Sequence, residues 1–434
     1  MIKDLVAKLY PFAYSVTGDG NDSAIPAFQS ELPFKVHEFQ SGRELNGWMV
    51  APAWRVRKAL IKRDGQVVYD GTASPLGVIT LSKSFVGRVD LNTLKQHLYF
   101  SDECPDAIVY HWTALYRPQE RSWGFCVPRT FWETLREGCY EVELETEEVP
   151  GTMKVLDYFL PGESSETILL NAHNCHPYQA NDDISGCAVG IRAMQALAMQ
   201  PRRRYSYRLV VAPELIGTAF WLDSLGDAAK ELRYAIMLKS VGNRAPLKLQ
   251  DSYTGTSAID SAAHHVFSAR YGDYVSGAFR TIYGNDETVF EAPGYEIPSI
   301  SVTRYPFWGY HTSQDTPDAL EEDALDDCLQ TVMTILETME KNVTLKFAAK
   351  GLVALSHPRF DLYRAAPAPG IDRQEYAAIN ARWNLLMNCL PRELDGTRSL
   401  MEIAEKYELP FGELHDYVMR WVDKGLATCV RDCC

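Results

Sequence analysis

The chain nowhere runs to about 18 consecutive apolar residues, so no membrane-spanning helix is expected. It has no repeated Cys-x-x-Cys pair. Its 10 cysteines stand at irregular spacing, which in 434 residues fits reduced thiols better than a disulfide framework. Basic charge is scarce: 43 Lys and Arg against 57 Asp and Glu leave a net −14, which argues against nucleic acid or acidic lipid as the main partner. The opening Met1-Ile2-Lys3-Asp4-Leu5-Val6 holds an acidic residue and only a short apolar run. No signal peptide is therefore expected, and the chain reads as a cytoplasmic protein of bacterial type. Internal repeats and low-complexity tracts are also missing. What remains, 46% hydrophobic and 23% charged residues, is the composition of a globular protein with about two to three domains.

Residues 1–35 combine a short helix, Leu5 to Leu9, with a loop over Thr17-Gly18-Asp19-Gly20-Asn21-Asp22. From Glu38 to Tyr110 the texture is strand-like: Trp54–Ile61 and Gln66–Tyr69 flank Asp64-Gly65, a two-residue hairpin signal. Gly77–Leu81 reads as another strand. From about residue 140 strands and helices alternate. Tyr140–Glu148, Thr167–Ala172, Tyr207–Ala212, Tyr234–Leu238 and Pro298–Val302 are strand candidates, and a helix is expected from Asp318 to Glu340. Such interleaving predicts a mostly parallel sheet with helices on both faces. The expected organisation is a discontinuous large domain (1–37 and 111–350), a β-rich insertion (38–110), a linker (351–372, with Ala365–Asp372 its core) and three helices over 373–434. Of these, Ser399-Leu400-Met401-Glu402 opens one with a capping box, and Gly412–Lys424 forms another that ends at Gly425, an outline that fits a winged helix.

The chemistry concentrates in Asn171–Gly186, Asn-Ala-His-Asn-Cys-His-Pro-Tyr-Gln-Ala-Asn-Asp-Asp-Ile-Ser-Gly, between an apolar strand and a helix. Open α/β sheets place their sites at that turn. Two imidazoles and two adjacent carboxylates exceed what a turn or a helix cap needs, and their donor types suit zinc. Two further segments join them: Leu209–Glu214, an apolar strand ending in a glutamate, and Tyr310-His311-Thr312-Ser313-Gln314-Asp315-Thr316, a loop before a helix start. A hydrolytic zinc site needs three protein ligands, an open position and a base. His176 or His173, Asp182 and His311 can supply the ligands, and Glu214 the base or a fourth ligand.

The order His-x-x…Asn-Asp-x-x-Ser-Gly, strand-terminal Glu, then Tyr-His-Thr-x-x-Asp-Thr resembles the aminopeptidase-like zinc exopeptidases. It is most similar to a bacterial branch with a small β insertion and a C-terminal winged helix, often linked to surface-polysaccharide biosynthesis. Leu9-Tyr10-Pro11-Phe12, Thr17-Gly18-Asp19-Gly20 and Gly284-Asn285-Asp286-Glu287 extend the resemblance over nearly the whole chain. It implies a three-layer α/β/α sandwich. Two departures bear on the metal. Where two-zinc relatives have His-x-Asp, this chain has His173-Asn174-Cys175, with His176 next. Where they place an aspartate for the second ion, it has Leu238-Lys239-Ser240-Val241-Gly242. A lysine would repel a second dication, so one zinc is expected.

The resemblance implies hydrolysis of an amide, with Glu214 moving the proton and Tyr310 steadying the oxyanion. Register with the family favours His173 as ligand, and the His-Pro pairing and closeness to Asp182 favour His176. Asp183 is a candidate to hold an imidazole or touch substrate. Asp286 and Glu287 are candidates to recognise a substrate ammonium, set against plain structural carboxylates, and Cys175 reads as buried filler. The expected substrate is a small peptide or an amino-sugar conjugate. A catalytically silent metal-binding scaffold of the same fold is the alternative, and a homo-oligomer is compatible with either. From Asp395 to Cys434 five basic residues face eight acidic ones, so DNA is not expected as a partner and the C-terminal module reads as a packing or dimerisation element.

Overall fold

The computed structural model describes residues 1–117, 120–364 and 373–430. The core of the expected linker, Ala365–Asp372, lies outside the described residues. By compactness the chain divides into one unit of residues 1–255 and 273–330 and a second of 256–272 and 331–434.

The first unit is built on an eight-stranded sheet. Its strand order is Lys35–Gln40, Thr152–Leu160, Ser206–Ala212, Thr167–His173, Leu232–Lys239, Ser299–Thr303, Lys248–Gln250 and Ser276–Gly277. The middle four strands are parallel and the flanking pairings include antiparallel ones, so the mixed α/β fold with a mostly parallel centre is present. Thr167–His173 is buried at every position, as a parallel strand covered on both faces must be, and it shows no period-two alternation for that reason. The chain leaves this strand towards Ser206–Ala212 on one side and later towards Leu232–Lys239 on the other. The order therefore reverses at His173, a topological switch point, where a crevice opens beyond the carboxyl ends of the strands.

After His173 the chain turns through Asn174–Gln179 and enters Ser185–Ala198, a helix that packs its Cys187, Ala188, Ile191, Met194 and Leu197 inward. Gly186 is required there by close approach, since a Cβ would lie 2.3 Å from the Leu238 carbonyl oxygen. The segment read as a Thr17–Asp22 loop instead starts a helix, Asp19–Gln29. Asp19 and Asp22 sit in its first turn and favour the N-terminal dipole, and a Cβ at Gly20 would lie 1.8 Å from the Ala13 carbonyl oxygen.

The β-rich module differs in extent from its expected 38–110 span. Lys35–Gln40 pairs with Thr152–Leu160 in the large sheet, whereas Cys139–Val149 leaves it to join a four-stranded antiparallel sheet with Ala53–Arg63, Gln66–Asp70 and Phe85–Asp90. The Asp64-Gly65 hairpin forms as expected, with φ of 51° and 77° at its two residues. Gly77–Leu81 is not a strand; Val78 makes only an isolated bridge to Phe125.

In the second unit Thr344–Phe347 pairs with Asp395–Ser399 and Ala427–Cys429, so these residues, which fall inside the expected 111–350 span, form a strand of the small sheet. Helices Leu400–Lys406 and Phe411–Asp423 follow, the first with the full Ser399–Glu402 capping box. Among the described residues seven cysteines are free thiols, and Cys429 departs from the reduced reading, being disulfide-bonded. Among the described residues no helix is long and apolar enough to cross a membrane.

Candidate metal centre

Three donors from two segments meet beyond the sheet. The turn after His173 contributes His176 and Asp182, and the loop after Ser299–Thr303 returns His311. Asp182 Oδ2 lies 3.6 Å from His176 Nε2 and 3.1 Å from His311 Nε2. The donor atoms of these three residues all fall within 4.8 Å of one another.

Each imidazole is held by its surroundings. His176 Nδ1 donates to the Pro177 carbonyl oxygen at 2.9 Å, which leaves the Nε2 lone pair pointing inward. The Tyr110 ring stacks on His176 at 4.2 Å and the Tyr310 ring on His311 at 3.9 Å. His311, at φ 53°, has its carbonyl oxygen bonded by the Tyr110 backbone N–H at 2.8 Å. Burial pushes its ring down to about 4, so it is neutral at physiological pH, as a ligand must be. Asp315 sets Asp182 in place: its carboxylate accepts from the Asn181 N–H at 2.7 Å and the Asp182 N–H at 3.0 Å. Asn21, from the Thr17–Asp22 motif, donates to the Asn174 carbonyl oxygen at 3.2 Å and ties down the histidine turn.

His176 Nε2 and Asp182 Oδ2 are buried and make no hydrogen bond within the protein. Buried polar atoms without partners are rare and costly. Two facing lone-pair donors with a third imidazole beside them fit a zinc-type cation. A second grouping, His173 with Cys175 and Glu214, is equally compact. Burial holds the Cys175 thiol well above its ordinary value, and a thiol must ionise to ligate. The His176 grouping is the better match.

His173 has another partner. Its Nε2 and Asp182 Oδ1 both contact the Lys239 ammonium, which has no exposed surface. Burial disfavours both charges, yet the ammonium drives Asp182 well below the carboxylate range and Asp182 holds Lys239 well above its own. His173 falls to about 3 through burial and the nearby ammonium.

Glu214 follows the Ser206–Ala212 strand and is half-buried. The Ile216 N–H bonds the Glu214 carbonyl oxygen at 2.7 Å around Leu215, whose φ of 60° and ψ of −68° make a strained γ-turn. Burial raises the Glu214 carboxyl to about 7, with Lys239 opposing the rise. Glu214, His176, His311, Tyr110 and Tyr310 line one cavity of about 340 Å³, walled also by Trp48, Trp112, Tyr116 and Tyr283.

Three carboxylates expected at the substrate do not line this cavity, because each is fully buried and holds backbone instead. Asp183 accepts from the His173 N–H at 3.3 Å and the Ser240 N–H at 3.1 Å. Asp286 accepts from the Leu215 N–H at 2.5 Å and from the Thr218 hydroxyl at 2.8 Å. Glu287 takes the Asn285 N–H with both oxygens at 2.8 Å. Sequence reasoning missed Tyr110, Asp315 and the contact made by Lys239. Asp315 lies inside the Tyr-His-Thr-x-x-Asp motif, whereas nothing local marks Tyr110.

The family model described as a domain of unknown function, DUF4910, matches residues 3–342. A Clostridium acetobutylicum protein whose name joins polysaccharide biosynthesis to an aminopeptidase-like domain is 30% identical over 416 residues, covering 94% of this chain and 92% of its own. A crystal structure from the same organism, described as a peptidase by assignment, matches with a TM-score of 0.81 at 27% identity, over 99% of this chain and 96% of that one. A zinc aminopeptidase from Bacillus subtilis matches with a TM-score of 0.60 at 12% identity, over 78% of this chain and 94% of that one, a likeness of fold.

Proposed function

The chain belongs to the DUF4910 family, and on that premise we propose that it is a single-zinc hydrolase of the aminopeptidase-like fold, cleaving an amide bond. The observation that carries this reading is the convergence of two unpartnered buried donors, His176 Nε2 and Asp182 Oδ2, with His311 beside a carboxyl raised to about 7 in the same cavity. His176, Asp182 and His311 would hold the ion. Zinc in such a place supplies Lewis-acid activation of a carbonyl and of water.

The other work belongs to the protein. Glu214 takes a proton from water on its carboxylate and passes it to the leaving amine nitrogen, a task suited to a group that titrates near neutrality. The Tyr310 hydroxyl, 3.3 Å from that of Tyr283, donates to the developing oxyanion. Tyr110 and Tyr310 keep the two imidazoles from turning. The aromatic walls accept an apolar or flat-faced group beside the scissile bond, and the cavity volume suits one residue or one sugar ring. The substrate class is therefore the N-terminal residue of a peptide, or an aminoacyl or amino-sugar conjugate. The relative's name supports a place in polysaccharide biosynthesis.

Zinc content after dialysis, paired with hydrolysis of aminoacyl and N-acyl amide libraries, tests the proposal. One ion per chain with amide cleavage supports it. One ion without cleavage of any library member favours the scaffold reading, to which the Lys239 contact with Asp182 lends weight. No bound ion overturns both.

A further inference from the structure

Asp182 faces two ways. Oδ2 turns towards His176 and His311, and Oδ1 receives the Lys239 ammonium. On the Oδ1 side His173 Nε2 stands 3.2 Å away, and it too is contacted by Lys239. An imidazole nitrogen and a carboxylate oxygen, both buried and both aimed at one point, are two ligands of a second cation site. The amine occupies that point. It arrives from the last residue of Leu232–Lys239, the strand next to the one ending in His173, and the Tyr283 ring lies 4.8 Å from its nitrogen. A fully buried ammonium persists only where negative charge and lone pairs surround it, and here a carboxylate oxygen and a ring nitrogen do so.

We propose that the Lys239 ammonium is a built-in cation standing in a second metal position, and that it limits the centre to one ion. The inference rests on the metal reading above. The amine takes the half of Asp182 that a second ion would need and keeps His173 out of ligation. It also places a positive charge beside that position, which an incoming dication would have to approach. In a Lys239→Glu variant the shorter side chain would draw its carboxylate back from the nitrogen's place. The gap is about the length of a zinc–oxygen bond, roughly 2 Å. The carboxylate that this substitution introduces is thus expected to complete a site with His173 and Asp182.

The test is cobalt stoichiometry and spectroscopy on the full chain. Wild type binds one cobalt per chain, with no magnetic coupling. Lys239→Glu binds two, and electron paramagnetic resonance shows them spin-coupled through Asp182. His173→Ala in that background returns the count to one. Lys239→Ala, which clears both the bulk and the charge from that point, takes a second cobalt at least about a hundredfold more tightly than wild type does. This arm decides the matter if the glutamate variant does not fold. Wild type binding two coupled ions overturns the inference and leaves the metal reading standing. So does a folded Lys239→Glu or Lys239→Ala protein that saturates at one ion with wild-type affinity. Wild type binding none removes the metal reading itself.

Discussion

Asp286→Ala probes how the proposed base is held. Asp286 reaches the Leu215 N–H in the turn that presents Glu214 and the Thr218 hydroxyl in the helix Ile216–Ser224 that follows it. Removing the carboxylate strands two buried donors, at about 1–3 kcal/mol each. The Leu215 conformation, φ 60°, adds strain of about 1–3 kcal/mol that Asp286 now restrains. Relaxing the turn satisfies the donors and relieves the strain, and it moves Glu214. A displacement of about 1 Å at a reacting group costs on the order of a hundredfold in rate. The expected result is kcat down about a hundredfold, KM within about threefold, and thermal stability lowered by about 1–3 kcal/mol, two net hydrogen bonds at about 0.5–1.5 kcal/mol each. Asp286→Asn keeps an acceptor for Leu215 and a polar contact to Thr218, so it should retain most activity. The assay is steady-state hydrolysis of the best library substrate beside calorimetric unfolding. If both variants raise KM together and leave kcat alone, Asp286 binds a substrate ammonium and the positioning argument is wrong.

Three other outcomes follow from the same structure. Glu214→Gln should lower kcat by about 10²–10⁴-fold with zinc content unchanged, measured by turnover and mass spectrometry; retained turnover removes Glu214 as the base. His176→Ala should lose at least about tenfold in zinc affinity by competition with a chromophoric chelator, while His173→Ala should lose less, because Lys239 already engages that ring. Glu393, nearly buried, accepts from Lys406 at 2.6 Å, Tyr407 at 2.8 Å and Arg398 at 2.7 Å, which outweighs the opposing effect of burial and holds its carboxyl below the ordinary 4.5. A depressed carboxyl stabilises the fold above its unfolded value and loses that contribution as pH falls through the folded one. Glu393→Gln should therefore unfold about 2 kcal/mol more easily at pH 7, with the gap narrowing below about pH 4.5 in thermal melts.

How far the sequence carried depends on whether a signal was local. The Asp64-Gly65 turn was legible because both residues must take positive φ, a demand that few residue pairs meet. The Ser399–Glu402 cap was legible for a similar reason: its donors and acceptors lie within one turn. Cys139–Val149 shows the limit. Its alternation reports that one face is buried and carries no information about which sheet buries it, so the strand was placed in the wrong one. Gly77–Leu81 looked like a strand by composition, yet it lacks a ladder partner, and an apolar run alone does not supply one.

The site divides along the same line. His176, Asp182, Glu214 and His311 were named because donor type and position at strand ends were both visible. What orients them was not. Asp315 acts through backbone N–H groups 133 and 134 positions away, Asp286 through Leu215 and Thr218, and Tyr110 through a ring face. Such roles belong to the fold. Lys239 is the clearest case. From the sequence it registered as a missing carboxylate and a repelling charge, an argument about what could not bind. The structure turns that absence into an occupant, because a buried ammonium in contact with both Asp182 and His173 already fills the space and the charge that a second ion would bring. One substitution at the end of a strand thereby bears on how many ions the centre holds, without changing any of the three residues that would hold the first.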